Sequence, residues 1–519
     1  MCSPPLRICK SLQLKTLFSS LFQRHAIFRC GLLALTASTV FVSAPAPANN
    51  EDLPDIGSPS DAILSRQLES QIGRQIYYSL IQSGTVITDP EAQEYIQNLG
   101  MRLVSHAGID GQRFQFFIVD SPVINAFALP GGYIGVHTGL LLATATESEL
   151  AGVLAHEISH VTQRHISRAV FANQRASTLS LAAMLGAILV GVATGADPGL
   201  IQGAVGAAQG MSAEQQIGFT RSNEKEADRV GIELLADAGF DPIGMPNFFE
   251  TMGRSSASLS ENKAPEFLLT HPLSSDRMAE TRDRVKSYPK VEAIDSSGYS
   301  LARARVKLFT SSRPEVAMEY FEEESQKPDK VGSLEVEYGM ALAALELGEK
   351  EDANKRFASL LQNNEEVIPV HSGMGLAQVS LGEKEAALET FQHAMNLFPR
   401  NVALTVRYAE TLMRYGEANE AHDVLLDLLN RVPPTLEQIR LIALAANAAG
   451  DTADAHYYMA EFHAMSGSLQ PAIDQLQLAL STPDLDSVQQ ARFMARLKQF
   501  QEYLPDRPRE ESPQDGREN

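Results

Sequence analysis

ELAGVLAHEISHVTQRH, residues 149–165, decides how this 519-residue chain is read. Leu150, Val153, Leu154 and Ile158 recur at helical spacing, so one stripe of the segment is set to be buried. His156 and His160 are four residues apart and stack one turn above each other on such a helix. Both imidazoles then face the same way and can grip one Zn²⁺ from one side. Glu157 lies just off that face, where it can act as a general base toward water. H-E-x-x-H also turns up by chance in unrelated sequences, so the reading needs support.

Support comes from RSNEKEADRVGIELLADAG, residues 221–239, a strongly helical stretch ending at Gly239. A catalytic zinc takes three protein ligands and keeps one position open. Glu224 and Asp228 share a helix face. We expect Glu224 to be the third ligand and Asp228 the acceptor that orients a ligand imidazole. Alone, the pair reads as a solvated acidic face; beside H-E-x-x-H the ligand reading prevails. One zinc per chain follows. His137 and His165 lack a partner at ligand spacing and read as structural.

The first 48 residues hold Arg7, Lys10, Lys15, Arg24 and Arg29 and no acid, then an apolar run from Gly31 to Val42 and Ala44-Pro45-Ala46-Pro47-Ala48. This is the pattern of a secretory signal peptide, and the apolar run is too short to span a bilayer comfortably. Cys2, Cys9 and Cys30 all fall inside it. The mature chain would therefore have no disulfide, no thiol nucleophile and no cysteine ligand. Its net charge would move from −21 to about −26. Such a surface repels nucleic acid, and no basic stripe is present. Export without cysteine suits a bacterial periplasm. The mature length calls for two domains.

Helices are expected around Ala62–Ser83 and Asp89–His106, with extended chain over Arg113–Asp120 and Asn125–Val136. Pro130-Gly131-Gly132 turns the second extended stretch. Strands followed by the metal helix suit a zincin, in which an edge strand lies beside the cleft and can pair with an extended substrate. Residues 178–213 are apolar and Gly/Ala-rich. They fit a buried hairpin or a flap touching membrane or unfolded substrate, or a membrane span. From about residue 300, helix follows helix. Gly348, Gly382, Gly416 and Gly450 are each 34 residues apart. Five residues on from them stand Ala353, Ala387, Ala421 and Ala455, and nine on stand Phe357, Phe391, Leu425 and Met459. Gly467 repeats the pattern after half a period. This period with small residues at helix crossings is the tetratricopeptide (TPR) pattern, and stacked repeats build a concave protein-binding surface. The tail from Pro505 to Asn519 reads as disordered.

HEISHVTQRH, RSNEKEADRVG, NAFALPGG and LLTHPLSSDR together resemble the M48 peptidases, most of all periplasmic members with a C-terminal TPR array. The resemblance implies His156, His160 and Glu224 as zinc ligands, Glu157 as catalytic base and Asp228 as supporting acid. It also sets His271 close to the zinc, with Arg277 nearby, and Asn125 and Ala126 on the edge strand beside substrate. His271 would either fill the open zinc position at rest or, like Arg277, hold the oxyanion. The implied clients are misassembled outer-membrane β-barrel proteins, with the TPR surface docking onto the barrel-assembly machinery.

The expected fold is α+β and mostly α. Residues 49–295 would form a zincin-like peptidase domain with a small sheet, and residues 296–503 an all-α TPR solenoid. The expected function is a periplasmic zinc endopeptidase acting on misfolded protein. The alternatives are a TPR scaffold or chaperone with a largely silent zinc site, and a membrane-embedded protease.

Overall fold

The N-terminal half is built around one short sheet. The computed structural model describes residues 64–109, 111–172, 213–258, 266–292, 294–430, 434–483 and 485–502. The expected signal peptide at 1–48, the apolar segment 178–213 except its last residue, and the expected tail at 504–519 lie outside them. Helices α1 (Arg66–Gln82) and α2 (Pro90–Val104) precede strands β1 (Gln115–Val119), β2 (Ala126–Leu129) and β3 (Tyr133–His137). The strand order is β1-β3-β2, with β3 parallel to β1 and antiparallel to β2, so β2 is an edge among the described residues. The expected turn is in place. Gly131 and Gly132 adopt φ of 80° and 90°, and a Cβ on Gly132 would stand 2.2 Å from the Arg113 carbonyl oxygen. Only glycine suits both demands.

After α3 (Thr138–Ala143) comes α4 (Glu147–Thr162), the helix that carries the H-E-x-x-H motif. The Thr146 hydroxyl accepts the Glu149 N–H at 3.2 Å, and Glu147 and Glu149 place negative charge on the first turn. Leu150, Val153, Leu154 and Ile158 are buried in the core against β1, β2 and the helices that follow. Each such side chain contributes about 2 kcal/mol of burial free energy. The helical pattern to His165 predicts one unbroken helix, but α4 ends at Thr162. Arg164 takes φ of 54°, a left-handed turn, and a new helix α5 (His165–Ala172) begins.

Helix α6 (Ala213–Asp237) crosses α4 closely, because Gly231 exposes its backbone to Ala155 and His156. Helices α7 (Gly244–Ser258), α8 (Glu266–Thr270) and α9 (Ser275–Arg284) complete this half.

Twelve helices follow among the described residues: α10 (Ser297–Thr310), α11 (Pro314–Ser325), α12 (Leu334–Glu346), α13 (Lys350–Leu361), α14 (Ile368–Leu381), α15 (Lys384–Leu397), α16 (Val402–Arg414), α17 (Ala418–Leu429), α18 (Leu436–Ala448), α19 (Thr452–Met465), α20 (Leu469–Leu480) and α21 (Ser487–Glu502). Gly348, Gly382, Gly416, Gly450 and Gly467 all sit at helix ends with φ between 78° and 85°. Each is followed by an N–H bonded back to a carbonyl of the last turn, as in Glu349 to Ala344 at 2.9 Å and Ser468 to His463 at 2.8 Å. That is the Schellman stop, repeated five times. Ala353, Ala387 and Ala421 are fully buried, as are Phe357, Phe391 and Leu425, so the sequence repeat is the crossing contact of a TPR-like helix pair. Helix α19 packs on both α18 and α20, as the half-period step at Gly467 predicts.

The array returns to the N-terminal half. Leu436 of α18 shares a buried cluster with Ile76, Tyr77 and Leu80 of α1 and Phe127 and Leu129 of β2. Among the described residues, no helix is long and apolar enough to cross a membrane.

Candidate active site

Three separated segments converge on one buried point. Helix α4 brings His156, Glu157 and His160, helix α6 brings Glu224 and Asp228, and the chain between α8 and α9 brings His271. Nε2 of His156 and of His160 are 3.0 Å apart, and they stand 3.2 and 3.3 Å from the Glu224 carboxylate. Nδ1 of His271 lies 3.1 Å from Glu224 and 3.3 Å from His156 Nε2. One donor atom from each of these four residues falls within 4.8 Å of the others. His271 is fixed by its ring stacked on Phe267, centroids 4.9 Å apart, and by its N–H on the Phe267 carbonyl at 2.8 Å. Phe267 in turn donates its N–H to the Ile124 carbonyl, two residues before the edge strand, at 3.2 Å.

Around the four donors lies a layer of orienting groups. Asp228 Oδ1 is 3.0 Å from His156 Nδ1, so Asp228 meets the face of that imidazole turned away from the cluster. Arg277 donates from Nε and Nη2 to the two Asp228 oxygens, both at 2.7 Å, and from Nη1 to the Pro272 carbonyl at 2.9 Å. Nη1 is also 2.9 Å from Glu224. An oxyanion-holding role for Arg277 does not fit this geometry: its guanidinium is buried and engaged by the two acids. His165 stands closer to the site than its structural reading implied, with its ring 2.9 Å from His160 Nδ1. The left-handed turn at Arg164 brings it there, and no periodicity announces such a turn.

The electrostatics suit a cation. Glu224 and Asp228 share the Arg277 guanidinium, and a third carboxyl, Glu157, is buried beside them. Burial opposes charge on His156, yet the Glu224 and Asp228 carboxylates outweigh it and raise this imidazole to about 10. Burial pushes His160 down to about 3 and shifts Glu157 upward. Burial would also raise Glu224, but His271 and His156 hold it well below that range. Imidazole nitrogens and carboxylate oxygens from His156, His160, Glu224 and His271 gathered within 4.8 Å of one another are the donor set a divalent metal takes. Glu157 is alongside, its Oε1 3.3 Å from His271 Nε2.

Asn125 and Ala126 flank the start of β2 and are buried. The Asn125 carbonyl accepts the His137 N–H at 3.0 Å. Both polar atoms of its side chain lack a hydrogen-bond partner among the described residues.

The model of peptidase family M48 matches residues 90–285. A putative beta-barrel assembly-enhancing protease of Vibrio cholerae is 35% identical over 459 residues, 88% of this chain and 94% of that protein. The beta-barrel assembly-enhancing protease of Escherichia coli is 34% identical over 472 residues, 90% of this chain and 95% of that protein. The mitochondrial metalloendopeptidase OMA1 of Bos taurus is 33% identical over 183 residues, 34% of this chain and 33% of that protein. Among solved structures, a thermophilic TPR protein of Thermus thermophilus is 21% identical and covers 39% of this chain and 100% of its own, with a TM-score of 0.23, too low to bear on the fold.

Proposed function

The chain belongs to peptidase family M48, and from that premise we propose that it is a periplasmic zinc endopeptidase that cleaves misfolded or misassembled outer-membrane β-barrel proteins. One observation carries the site reading: four metal donors from three segments meet at one buried point with Glu157 beside them. In this proposal His156, His160 and Glu224 hold one zinc ion. When bound, zinc supplies Lewis acidity that polarises the scissile carbonyl and acidifies the attacking water.

The chain's own groups do the rest. Glu157 takes a proton from water as the water oxygen attacks the carbonyl carbon. The same carboxyl then gives that proton to the leaving amine as the C–N bond breaks. Its burial raises its proton affinity, which suits a group that must both take and return a proton. Asp228 steers His156, and Arg277 steadies Asp228 and Glu224. Asn125, Ala126 and the rest of the β2 edge would pair with an extended substrate. His271 is the fourth donor, and we read it as a resting cap that fills the position substrate and water need.

In the same reading, residues 49–295 form the peptidase domain, residues 296–503 are the partner-binding array, and the array docks on the barrel-assembly machinery. The apolar segment 178–213 is the candidate for contact with unfolded client or a membrane surface.

Casein cleavage and zinc content of the mature chain test this, with wild type, Glu157→Gln and His271→Ala in parallel. Cleavage lost in Glu157→Gln with about one zinc retained supports the protease. Faster cleavage by His271→Ala supports the cap; a zinc-loaded but dead His271→Ala assigns that residue to catalysis instead. Zinc without cleavage in all three moves the assignment to a scaffold.

A further inference from the structure

We propose that His165 is a positioning residue for the second metal ligand, holding His160 through Nδ1, with Glu226 and Arg168 fixing its own orientation. The proposal rests on His160 being a ligand. The two ligand imidazoles are held differently. His156 has a carboxylate at Nδ1, Asp228 at 3.0 Å. At His160 Nδ1 stands another imidazole, His165 Nδ1 at 2.9 Å. His165 Nε2 then lies 3.2 Å from Glu226 Oε2, and Arg168 Nη1 donates to the same oxygen at 2.8 Å.

Proton placement gives this chain one direction. Two imidazole nitrogens in contact share one proton, so one donates and the other accepts. His160 Nε2 faces His156 Nε2 at 3.0 Å and Glu224 at 3.3 Å, so a metal-binding lone pair must be on Nε2. The proton is then on His160 Nδ1 and is donated to His165 Nδ1. His165 must carry its own proton on Nε2, where the Glu226 carboxylate accepts it. In the opposite sense, His160 Nε2 would carry a proton into the donor cluster. His165 Nε2 would turn a lone pair toward a carboxylate. The acid at the far end therefore selects the tautomer that leaves His160 free to bind metal.

The backbone is built for this contact. Arg164 adopts φ of 54°, a region a non-glycine residue enters at a cost. Its guanidinium holds the turn, donating to the Leu64 carbonyl at 2.8 Å and the Ser167 hydroxyl at 3.0 Å. Glu69 lies 3.3 Å from the same group. The turn folds the start of α5 back over the end of α4, so a residue five positions on meets His160 although it lies off the helical face. In consequence the five residues 224–228 serve the whole centre: Glu224 as ligand, Asp228 behind His156, and Glu226, through His165, behind His160.

The test measures zinc affinity of the full mature chain by competition with a chromophoric chelator, with the visible spectrum of the cobalt(II)-loaded protein as second readout. The variants are His165→Phe, His165→Asn, Glu226→Gln and Glu226→Ala. Phenylalanine removes the acceptor, so affinity should fall ~10–100-fold and the cobalt bands should shift, while thermal unfolding in chelator stays at the wild-type temperature. Asparagine sets an amide oxygen near the place of Nδ1 and should recover most of the affinity. Glu226→Gln should stay close to wild type, because its amide still accepts from Nε2–H, and Glu226→Ala should fall several-fold. Wild-type affinity and cobalt bands in His165→Phe would overturn the proposal. Should that variant not fold, equal affinity for wild type and the partly exposed Glu226→Ala would overturn it instead. His160→Ala is the control: if it binds zinc as wild type does, the ligand assignment has failed rather than the positioning.

Discussion

At the residue scale, Arg277 shows how one side chain acquires its job from its surroundings. Its fork spans both oxygens of Asp228 and reaches Glu224, so it balances acids that the proposed zinc would also balance. A lysine places the same charge at one point and cannot hold two oxygens in a plane. We therefore expect Arg277→Lys to fold but to bind zinc about tenfold more weakly. Arg277→Met leaves buried carboxylates without a partner and should cost about 3–5 kcal/mol of stability in chelator. Zinc competition and denaturant unfolding measure the two effects separately, and a Lys variant with wild-type affinity would reduce Arg277 to packing. His156, Glu157 and His160 were legible because i, i+4 spacing on a helix is a geometric statement. The contact from Arg277 to Asp228 spans 49 residues and meets no local rule, so sequence could place it near the site but not say what it holds.

At the scale of elements, the site depends on how closely α6 lies on α4. A Cβ at Gly231 would stand 3.2 Å from both the Ala155 carbonyl carbon and the His156 nitrogen, and 2.9 Å from the flexible end of Met245. The methionine can move; the α4 backbone cannot. Gly231→Ala should therefore push α6 outward by a few tenths of an ångström, at the place where Glu224 and Asp228 must reach the two imidazoles. Helix propensity favours alanine by about 1 kcal/mol, so stability should change little while zinc affinity drops. An alanine variant with unchanged affinity and raised stability would show that the crossing has slack. The strand segments and the glycine turn between β2 and β3 were readable from alternation and turn residues. The order β1-β3-β2 was not, since pairing between strands leaves no period along the chain. The end of α4 at Thr162 was hidden for a related reason: Arg164 carries no glycine mark for its left-handed turn.

Across the whole molecule, the repeat phase was plain in five glycines, whereas the closure of the array on the N-terminal half was not. That closure is a buried charge lock at the start of α2. Asp89 and Glu91 face Arg305 of α10 and Arg407 of α16, with Arg305 at 2.9 Å and Arg407 at 2.9 Å from Glu91. Contacts between residues more than 300 positions apart have no signature in a local pattern. Burial works against the Glu91 charge, but the two guanidinium groups outweigh it and bring its pKa down to about 2. A carboxyl held below its unfolded value of about 4.3 adds stability that is complete above that value and is lost as pH falls toward about 2. Glu94, bonded to Asn401, is shifted the other way because its burial dominates, so wild-type acid unfolding alone mixes two opposite effects. The comparison with Glu91→Gln isolates the lock. The variant should be less stable than wild type at pH 7, and the gap should narrow steadily between about pH 4 and pH 2 as wild-type Glu91 takes up its proton. Urea unfolding at a series of pH values measures it. A gap that stays constant down to pH 2 would mean that the glutamine disturbs packing alone and that charge does not fasten the array to α2.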